Sequence, residues 1–405
     1  MTITDLDLLK SAEGQRLIAE NLATAPSVFA LKNRHKSAAI LATQIKYLQR
    51  SRSKLPSFYV AKAIIPPLAF EQCSSERAAS AKDFSGKTCL DLTCGLGVDS
   101  LHFSKNFQQV TSIERNNVLA ETVRYNFELM NSANIEVIND SAESFVHNYV
   151  GEPFDLIYID PARRDGGGKK VFLPEDCAPN FVELLPVLRK IGKKIVIKMS
   201  PLYDVDAAAR QFPDVSEIGV ISVDNECKEL LLVFDNGALK ESGSPTIFIK
   251  CFYKNQFFIF SKNTEKSVYP NEKINEMTVF SYIIEPDVAF YKARFLEFTP
   301  PQYFDKKTTC LTASNGFFLS NNIDNIHDFP SRIFTIEATF TYQPKKISAF
   351  LKAQKITALN VVQRNFPFSA ADIRTALKVP EGGDWFLICT VFQGEKWAWL
   401  AKKHS

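Results

Sequence analysis

Apolar positions along the chain follow two different periods, and the change from one to the other marks the first structural boundary. Up to about residue 80 the period is helical. Within 37–54, Leu41, Ile45 and Leu48 recur at i, i+4, i+7 and define one buried face, while Lys46, Arg50 and Lys54 form a second stripe at i, i+4, i+8. From residue 86 onward, short β-rich runs alternate with helical segments, which predicts strands at 87–93, 109–114, 135–139, 155–160, 194–199, 217–223 and 229–235. Helical connections between the first five demand crossovers, and so a parallel, doubly wound sheet. The last two runs are separated only by 224–228, too short for a crossover, so they pair as an antiparallel hairpin.

Further strands at 247–253 and 257–261 close this region. Residues 266–338 read as a smaller mixed α/β segment, and 339–405 as helix, strand, helix, then strands at 384–393 and 396–402. The expected α/β architecture has four parts: a helical N-terminal domain at 1–80, a doubly wound domain at 81–265, and two small α+β domains at 266–338 and 339–405. A seven-stranded sheet ending in an antiparallel hairpin resembles the Rossmann-like class I methyltransferase fold, whereas dehydrogenase sheets are normally parallel throughout.

Composition narrows the class. A chain of 405 residues is longer than one hydrophobic core usually grows, and no apolar run approaches the roughly 18 residues of a membrane span. Asp5 and Asp7 stand where a signal peptide would be basic, so the expected location is the cytoplasm. Eight cysteines are scattered without a CxxC pair or the histidine partners of a zinc site, and are read as reduced thiols, with no metal expected. Charge is segregated. Residues 21–70 hold eight Lys and Arg and no acid, and residues 341–405 hold ten basic against four acidic side chains. Two basic ends around an acidic middle suit a polyanion partner, nucleic acid above all. Lys46, Arg50 and Lys54 are therefore candidate RNA contacts, with a plain solvated face as the alternative.

The chemistry gathers at predicted strand ends. Asp91-Leu-Thr-Cys-Gly95-Leu-Gly97-Val-Asp99 follows the first strand, and its two glycines allow a sharp turn close to a ligand. Ser100 nearly completes a dinucleotide fingerprint, but Asp91 argues against it. A carboxylate there suits the cationic ammonium and sulfonium of S-adenosylmethionine and would repel a pyrophosphate. Glu114 ends the second strand, where an acid accepts hydrogen bonds from ribose hydroxyls, and Asp140 ends the third, placed for the adenine amino group. Thr93, Asp99, Arg115 and Ser141, beside these acids, complete the candidate cofactor set, with Asp160.

Asp160-Pro161-Ala162-Arg163-Arg164-Asp165 ends the fourth strand. Methyl transfer from a sulfonium is an in-line displacement in which the enzyme chiefly positions the acceptor. Asp160 is the candidate contact to the acceptor's N–H or O–H, with Pro161 and Arg163 in the same loop. Arg163 occupies the place where amino-methylating nucleic-acid enzymes usually carry an aromatic residue. The loop instead resembles that of RNA uracil-5 methyltransferases, yet Lys198-Met199-Ser200-Pro201 lacks the cysteine nucleophile such chemistry needs after the fifth strand. Cys227, in the predicted hairpin turn, could substitute, although a structural thiol is the simpler reading. Arg163, Arg164 and Lys198 are candidate substrate contacts.

With these motifs the chain resembles the bacterial class I methyltransferases that carry a ferredoxin-like domain and a C-terminal THUMP-like domain. The resemblance rests on Glu71-Gln-Cys-Ser-Ser-Glu76, the Asp91 and Asp160 motifs, Lys198-Met-Ser-Pro201, Asn225-Glu-Cys-Lys-Glu-Leu-Leu231 and Tyr282-Ile-Ile-Glu285-Pro286-Asp287. It implies S-adenosylmethionine as cofactor, an RNA base in ribosomal or transfer RNA as substrate, a ferredoxin-like 266–338 and a THUMP-like 339–405. By the same analogy the Glu71 to Glu76 segment covers the methionine end of the cofactor. A small-molecule methyltransferase and an RNA-binding protein that keeps the pocket without turnover are the competing readings.

Overall fold

The computed structural model describes residues 1–33, 37–162, 174–237, 245–261, 280–296, 303, 309–310, 316–326 and 328–404. The chain divides into two compact units, one of Met1–Val223 with Lys228–Thr246, the other of Asp224–Cys227 with Ile247–Ser405.

The first unit begins with seven helices: α1 Ile3–Lys10, α2 Ala12–Glu20, α3 Pro26–Lys32, α4 Ala38–Lys54, α5 Pro56–Ala61, α6 Pro67–Gln72 and α7 Glu76–Ser80. Leu41, Ile45 and Leu48 of α4 are buried as the periodicity requires. Strands and helices then alternate: β1 Gly86–Asp91, α8 Val98–Phe103, β2 Phe107–Ile113, α9 Asn117–Leu129, β3 Ile135–Ile138, α10 Ala142–Asn148, β4 Phe154–Ile159, α11 Phe181–Ile191, β5 Gly192–Met199, α12 Val205–Gln211, β6 Glu217–Val223 and β7 Glu226–Asp235. Strands β1 to β5 pair in parallel and β7 runs antiparallel to β5, so the predicted switch of direction is present. Within this unit the strand order is β3-β2-β1-β4-β5-β7-β6, and β8 (Thr246–Tyr253) and β9 (Gln256–Ser261) come next in the chain. The hairpin between β6 and β7 is tighter than the five-residue loop expected. Asp224 and Asn225 both take positive φ, forming a two-residue turn that leaves Cys227 in β7 and not in the turn.

The N-terminal helices are not an independent body. Leu6, Leu9, Ile18 and Phe29 join Leu41, Ile45 and Leu48 in one cluster with Leu96, Val98, Ala120, Val123 and Phe127 of the α8–α9 layer. The segment between α5 and α6 is clamped from two sides. Gln44 donates to the Ala63 carbonyl (2.7 Å) and accepts from the Ile65 amide (3.0 Å), while Asn126 accepts from the Ile64 amide (2.8 Å) and donates to its carbonyl (2.9 Å). Packing thus runs through the boundary expected near residue 80.

In the second unit, β8 and β9 pair antiparallel, and a seven-stranded sheet follows in the order β11-β12-β10-β13-β16-β15-β14. Its elements are β10 Tyr282–Pro286, α13 Val288–Lys292, β11 Thr309–Cys310, β12 Phe318–Ser320, β13 Ser331–Thr341, α14 Pro344–Ala353, β14 Asn360–Gln363, α15 Ala370–Leu377, β15 Trp385–Phe392 and β16 Glu395–Lys403. Alternation along the strands builds two cores. Ile388 and Trp399 join Ile283, Phe317, Leu319 and Phe334 on one face, while Leu387 and Leu400 join Ile347, Leu351, Ile373 and Leu377 of α14 and α15 on the other. β13 pairs with β10 on one side and β16 on the other, so one sheet carries segments from both sides of residue 339.

Candidate cofactor and acceptor site

The parallel strands deliver four acids to one edge of the sheet, where open α/β folds bind ligands. Asp91 is the last residue of β1, Glu114 and Asp160 each follow a strand directly, and Asp140 stands two residues past β3. The turn after β1 links three of them, Asp91, Glu114 and Asp160. Asp91 Oδ1 accepts from the Thr93 amide (3.0 Å), the Thr93 hydroxyl accepts from the Asp160 amide (2.6 Å), and the Gly95 amide donates to Glu114 Oε2 (3.0 Å). Gly95 and Gly97 both lie in the left-handed region, at φ 56° and 81°. A Cβ on Gly97 would come within 2.6 Å of the Phe127 ring, so α9 excludes any side chain there.

Asp91 is 1% exposed and its Oδ2 accepts from the Ser100 hydroxyl at 2.5 Å. Burial pushes its carboxyl up to about 7, against the pull of the Ser100 and Thr93 donors. It therefore lies beneath the turn, its charge acting across the loop it holds. Glu114 is half-buried and raised by burial, and its second oxygen accepts from the Asn116 amide (2.8 Å). Asp140 is half-buried and accepts from the Ser141 amide (2.8 Å), while the Ser141 hydroxyl caps α10. Arg115 is exposed.

Behind Asp160 lies a charged network that the sequence reading did not assemble. Lys198, at the end of β5, donates to Asp160 Oδ2 (2.7 Å) and to the Ser74 hydroxyl (2.9 Å) and stands 3.6 Å from Glu229 Oε1. Ser74 donates to Glu229 Oε1 (2.7 Å). Lys82, fully buried, pairs with Glu229 and with Asp99 (3.0 Å), and Tyr158 donates to Asp99 Oδ2 (3.1 Å). Burial alone would lower the Lys198 ammonium, but Asp160, Glu229 and Asp99 outweigh it and hold it well above its ordinary value. Burial raises Asp160, and Lys198 opposes this only in part. For Asp99, burial is overcome by Lys82 and Lys198, so its carboxyl lies below the ordinary range.

These contacts reassign several expected residues. Lys198 is 7% exposed and acts on Asp160 rather than facing a substrate. Asp99 is turned into the network. Asp160 itself keeps 25% of its side chain exposed, and Pro161 beside it is buried. Arg163 and Arg164 lie outside the described residues. In the α4 stripe, Arg50 pairs with Glu71 (2.5 Å) and Lys54 donates to the Phe70 carbonyl (2.6 Å), whereas Lys46 is exposed, its ammonium 5.8 Å from the centre of the Tyr47 ring. Arg50 and Lys54 thus fasten α4 to α6 instead of forming a free basic face. Ser74, Lys82, Tyr158 and Glu229 were missed. The sequence signal for Glu229 was an acid directly before the apolar run Leu230-Leu-Leu-Val-Phe234, a position that, once buried, needs a cation.

The donor set suits S-adenosylmethionine. Three carboxylates, Asp99, Asp160 and Glu229, face two lysines, and Asp91 and Glu114 add two more carboxyls against Arg115 alone beside Glu114, an acidic balance that favours a cationic ligand with ribose hydroxyls over a pyrophosphate. Among the described residues no group of His, Cys, Asp and Glu is arranged to hold a metal ion.

Comparison with known proteins agrees with this geometry. Residues 69–172 match the family described as conserved hypothetical protein 95, and residues 331–403 match the THUMP domain-like family. A crystal structure from Porphyromonas gingivalis W83, assigned as a methyltransferase, is similar over 96% of this chain and 97% of its own, with 25% identity and a TM-score of 0.75. Another assigned methyltransferase, from Streptococcus mutans and in complex with SAH, is similar over 42% of this chain and 98% of its own, at 14% identity and a TM-score of 0.29. An uncharacterised protein of Acanthamoeba polyphaga mimivirus is 31% identical over 121 residues, or 29% of this chain. That match spans 47% of the viral protein's length. By fold and by family match the chain is of the S-adenosylmethionine-dependent methyltransferase class, with a THUMP-like C-terminal segment. No helix among the described residues is long and apolar enough to cross a membrane.

Proposed function

We propose that the chain transfers a methyl group from S-adenosylmethionine to a base in RNA, ribosomal or transfer RNA. The observation that carries the reading is the set of acids at strand ends, with Asp91, Glu114 and Asp160 tied together through the 92–97 turn, in a chain whose residues 331–403 match a THUMP-like family. Asp91 supplies negative charge beneath the turn, Glu114 accepts from the ribose hydroxyls, and Asp140 receives the adenine amino group. The cofactor, when bound, supplies an electrophilic methyl on a sulfonium.

Asp160 orients the acceptor. With one oxygen pinned by Lys198, the other remains to accept a hydrogen bond from a base N–H, and a carboxylate already neutralised in part by an ammonium is a better positioning group than a base. RNA is supported by the THUMP-like match and by the basic surplus of residues 341–405. The small-molecule reading gains from Arg50 and Lys54, whose partners lie within the protein. Mass spectrometry of RNA nucleosides from cells lacking the protein separates the two: loss of one methylated nucleoside is expected, and an unchanged nucleoside profile would sink the RNA reading.

A further inference from the structure

In the second unit, Tyr342, Pro344, Phe368, Asp372, Ala376 and Lys396 line a cleft of about 280 Å³ between the end of β13, the start of β16 and the helices α14 and α15. Its walls are fixed by backbone, because the Tyr342 amide donates to the Lys396 carbonyl at 2.7 Å. Its floor is aromatic. Tyr342 meets Phe366 edge to face at 5.0 Å and lies 5.9 Å from Phe368 at a shallow angle of 32°. Phe368 is 40% exposed, so part of its ring is open to a ligand beside Phe366 and Tyr342.

The polar groups at this floor are few and specific. The Lys396 ammonium lies 5.3 Å from the centre of the Phe368 ring, so a cation stands over an exposed π-face. Asp372 uses one oxygen to accept from both the amide (3.1 Å) and the hydroxyl (2.7 Å) of Ser369, which leaves its other oxygen as an acceptor. Around it, Lys345 and Lys346 open α14 as exposed residues, within a segment that holds ten basic and four acidic side chains. An exposed ring, a phosphate-ranking cation and one acceptor for an N–H edge are the requirements of a single unpaired nucleotide. A duplex would present no free base face, and an apolar peptide would gain nothing from Lys396.

We infer that this cleft holds one unpaired RNA nucleotide, its base stacked on Phe368 and its phosphate on Lys396, as an anchor separate from the residues that position the methyl acceptor. The inference rests on the RNA reading above and adds the residues that grip it.

Anisotropy of fluorescein-labelled pentaadenylate RNA with the full chain tests it. Phe368→Leu keeps an apolar side chain but removes the π-face, and is expected to weaken binding by roughly 5- to 150-fold, the range that follows from about 1–3 kcal/mol per base stack. Phe368→Trp keeps or strengthens binding. Lys396→Gln flattens the log–log salt dependence by about 0.7, the share of one phosphate on a single strand. All three variants should leave S-adenosylmethionine affinity and thermal midpoint at wild-type values. If the Leu and Trp variants both bind the pentamer as wild type does, no base stacks on Phe368 and the inference falls while the RNA reading stands. If the wild-type chain does not bind the pentamer at low salt, the inference falls, and the RNA reading is decided by the nucleoside profile alone.

Discussion

Asp91 allows the electrostatic account of the cofactor site to be tested by pH alone. Its carboxyl is 1% exposed and pushed up to about 7, from an ordinary value of 3.8. Below pH 7 the ligand-free protein therefore carries it protonated, and a cationic ligand must displace that proton. Apparent affinity for S-adenosylmethionine should then fall about tenfold for each pH unit below 7, or roughly 100-fold at pH 5. Asp91→Asn is nearly isosteric, with its carbonyl able to accept from the Thr93 amide and its amino group able to donate to the Ser100 hydroxyl. It should bind weakly at pH 7.5 and lose most of the slope. Stability gives an independent readout with a defined sign. A carboxyl whose folded value is raised holds more protons folded than unfolded between about pH 4 and 7, so the fold loses stability as pH rises through that window. The full difference is worth about 4 kcal/mol, which the Asn variant should recover at pH 8. Calorimetry from pH 5 to 7.5 measures the first effect and denaturant melts measure the second. A wild-type affinity that stays flat across that range would refute the reasoning.

Glu114→Ala should weaken S-adenosylmethionine binding by roughly 10- to 100-fold, the cost of a lost hydrogen bond to a charged group, and calorimetry showing unchanged affinity would remove Glu114 from the site. Asp160→Ala should keep cofactor affinity while turnover disappears, and surviving turnover would make Asp160 only a link between Thr93 and Lys198. Glu229→Gln leaves the fully buried Lys82 with Asp99 as its remaining acidic partner and Lys198 with Asp160. It should lower the urea midpoint, by less than the roughly 3–5 kcal/mol of a fully unpaired buried charge, and a wild-type midpoint would show that the network is not electrostatically coupled. Lys46→Gln should flatten the RNA salt slope by about 0.7, whereas changing Arg50 or Lys54 disturbs the α4 to α6 contact and cannot be read as RNA binding alone.

The sequence is most informative where a local pattern decides the outcome. The 3.6 period of Leu41, Ile45 and Leu48, the β–α alternation and the short link before residue 229 were enough to anticipate helix α4, the parallel strands and the change of direction at β7. The glycine turn and its acids were legible for the same reason, since a strand followed by Asp-x-x-x-Gly-x-Gly has few ways to fold. Contacts across long sequence distances were not legible. Ser74 meets Glu229 and Lys82 meets Glu229 across about 150 residues, and no spacing rule links them. The same limit explains Arg50 and Lys54. A helix surface rich in Lys and Arg looks free in sequence, but it becomes a packing surface once α6 brings Glu71 and the Phe70 carbonyl to it. β13 likewise hid the continuity of the second sheet, because a strand's two neighbours cannot be inferred from its own alternation.

Transfer itself is the most direct test of the central claim. The full chain, incubated with S-adenosylmethionine labelled on its methyl group and with total RNA from cells lacking the protein, should place label in a single RNA nucleoside. The label should be absent with Asp160→Ala and with RNA from cells that contain the protein. Cofactor binding without label in any RNA would contradict the account.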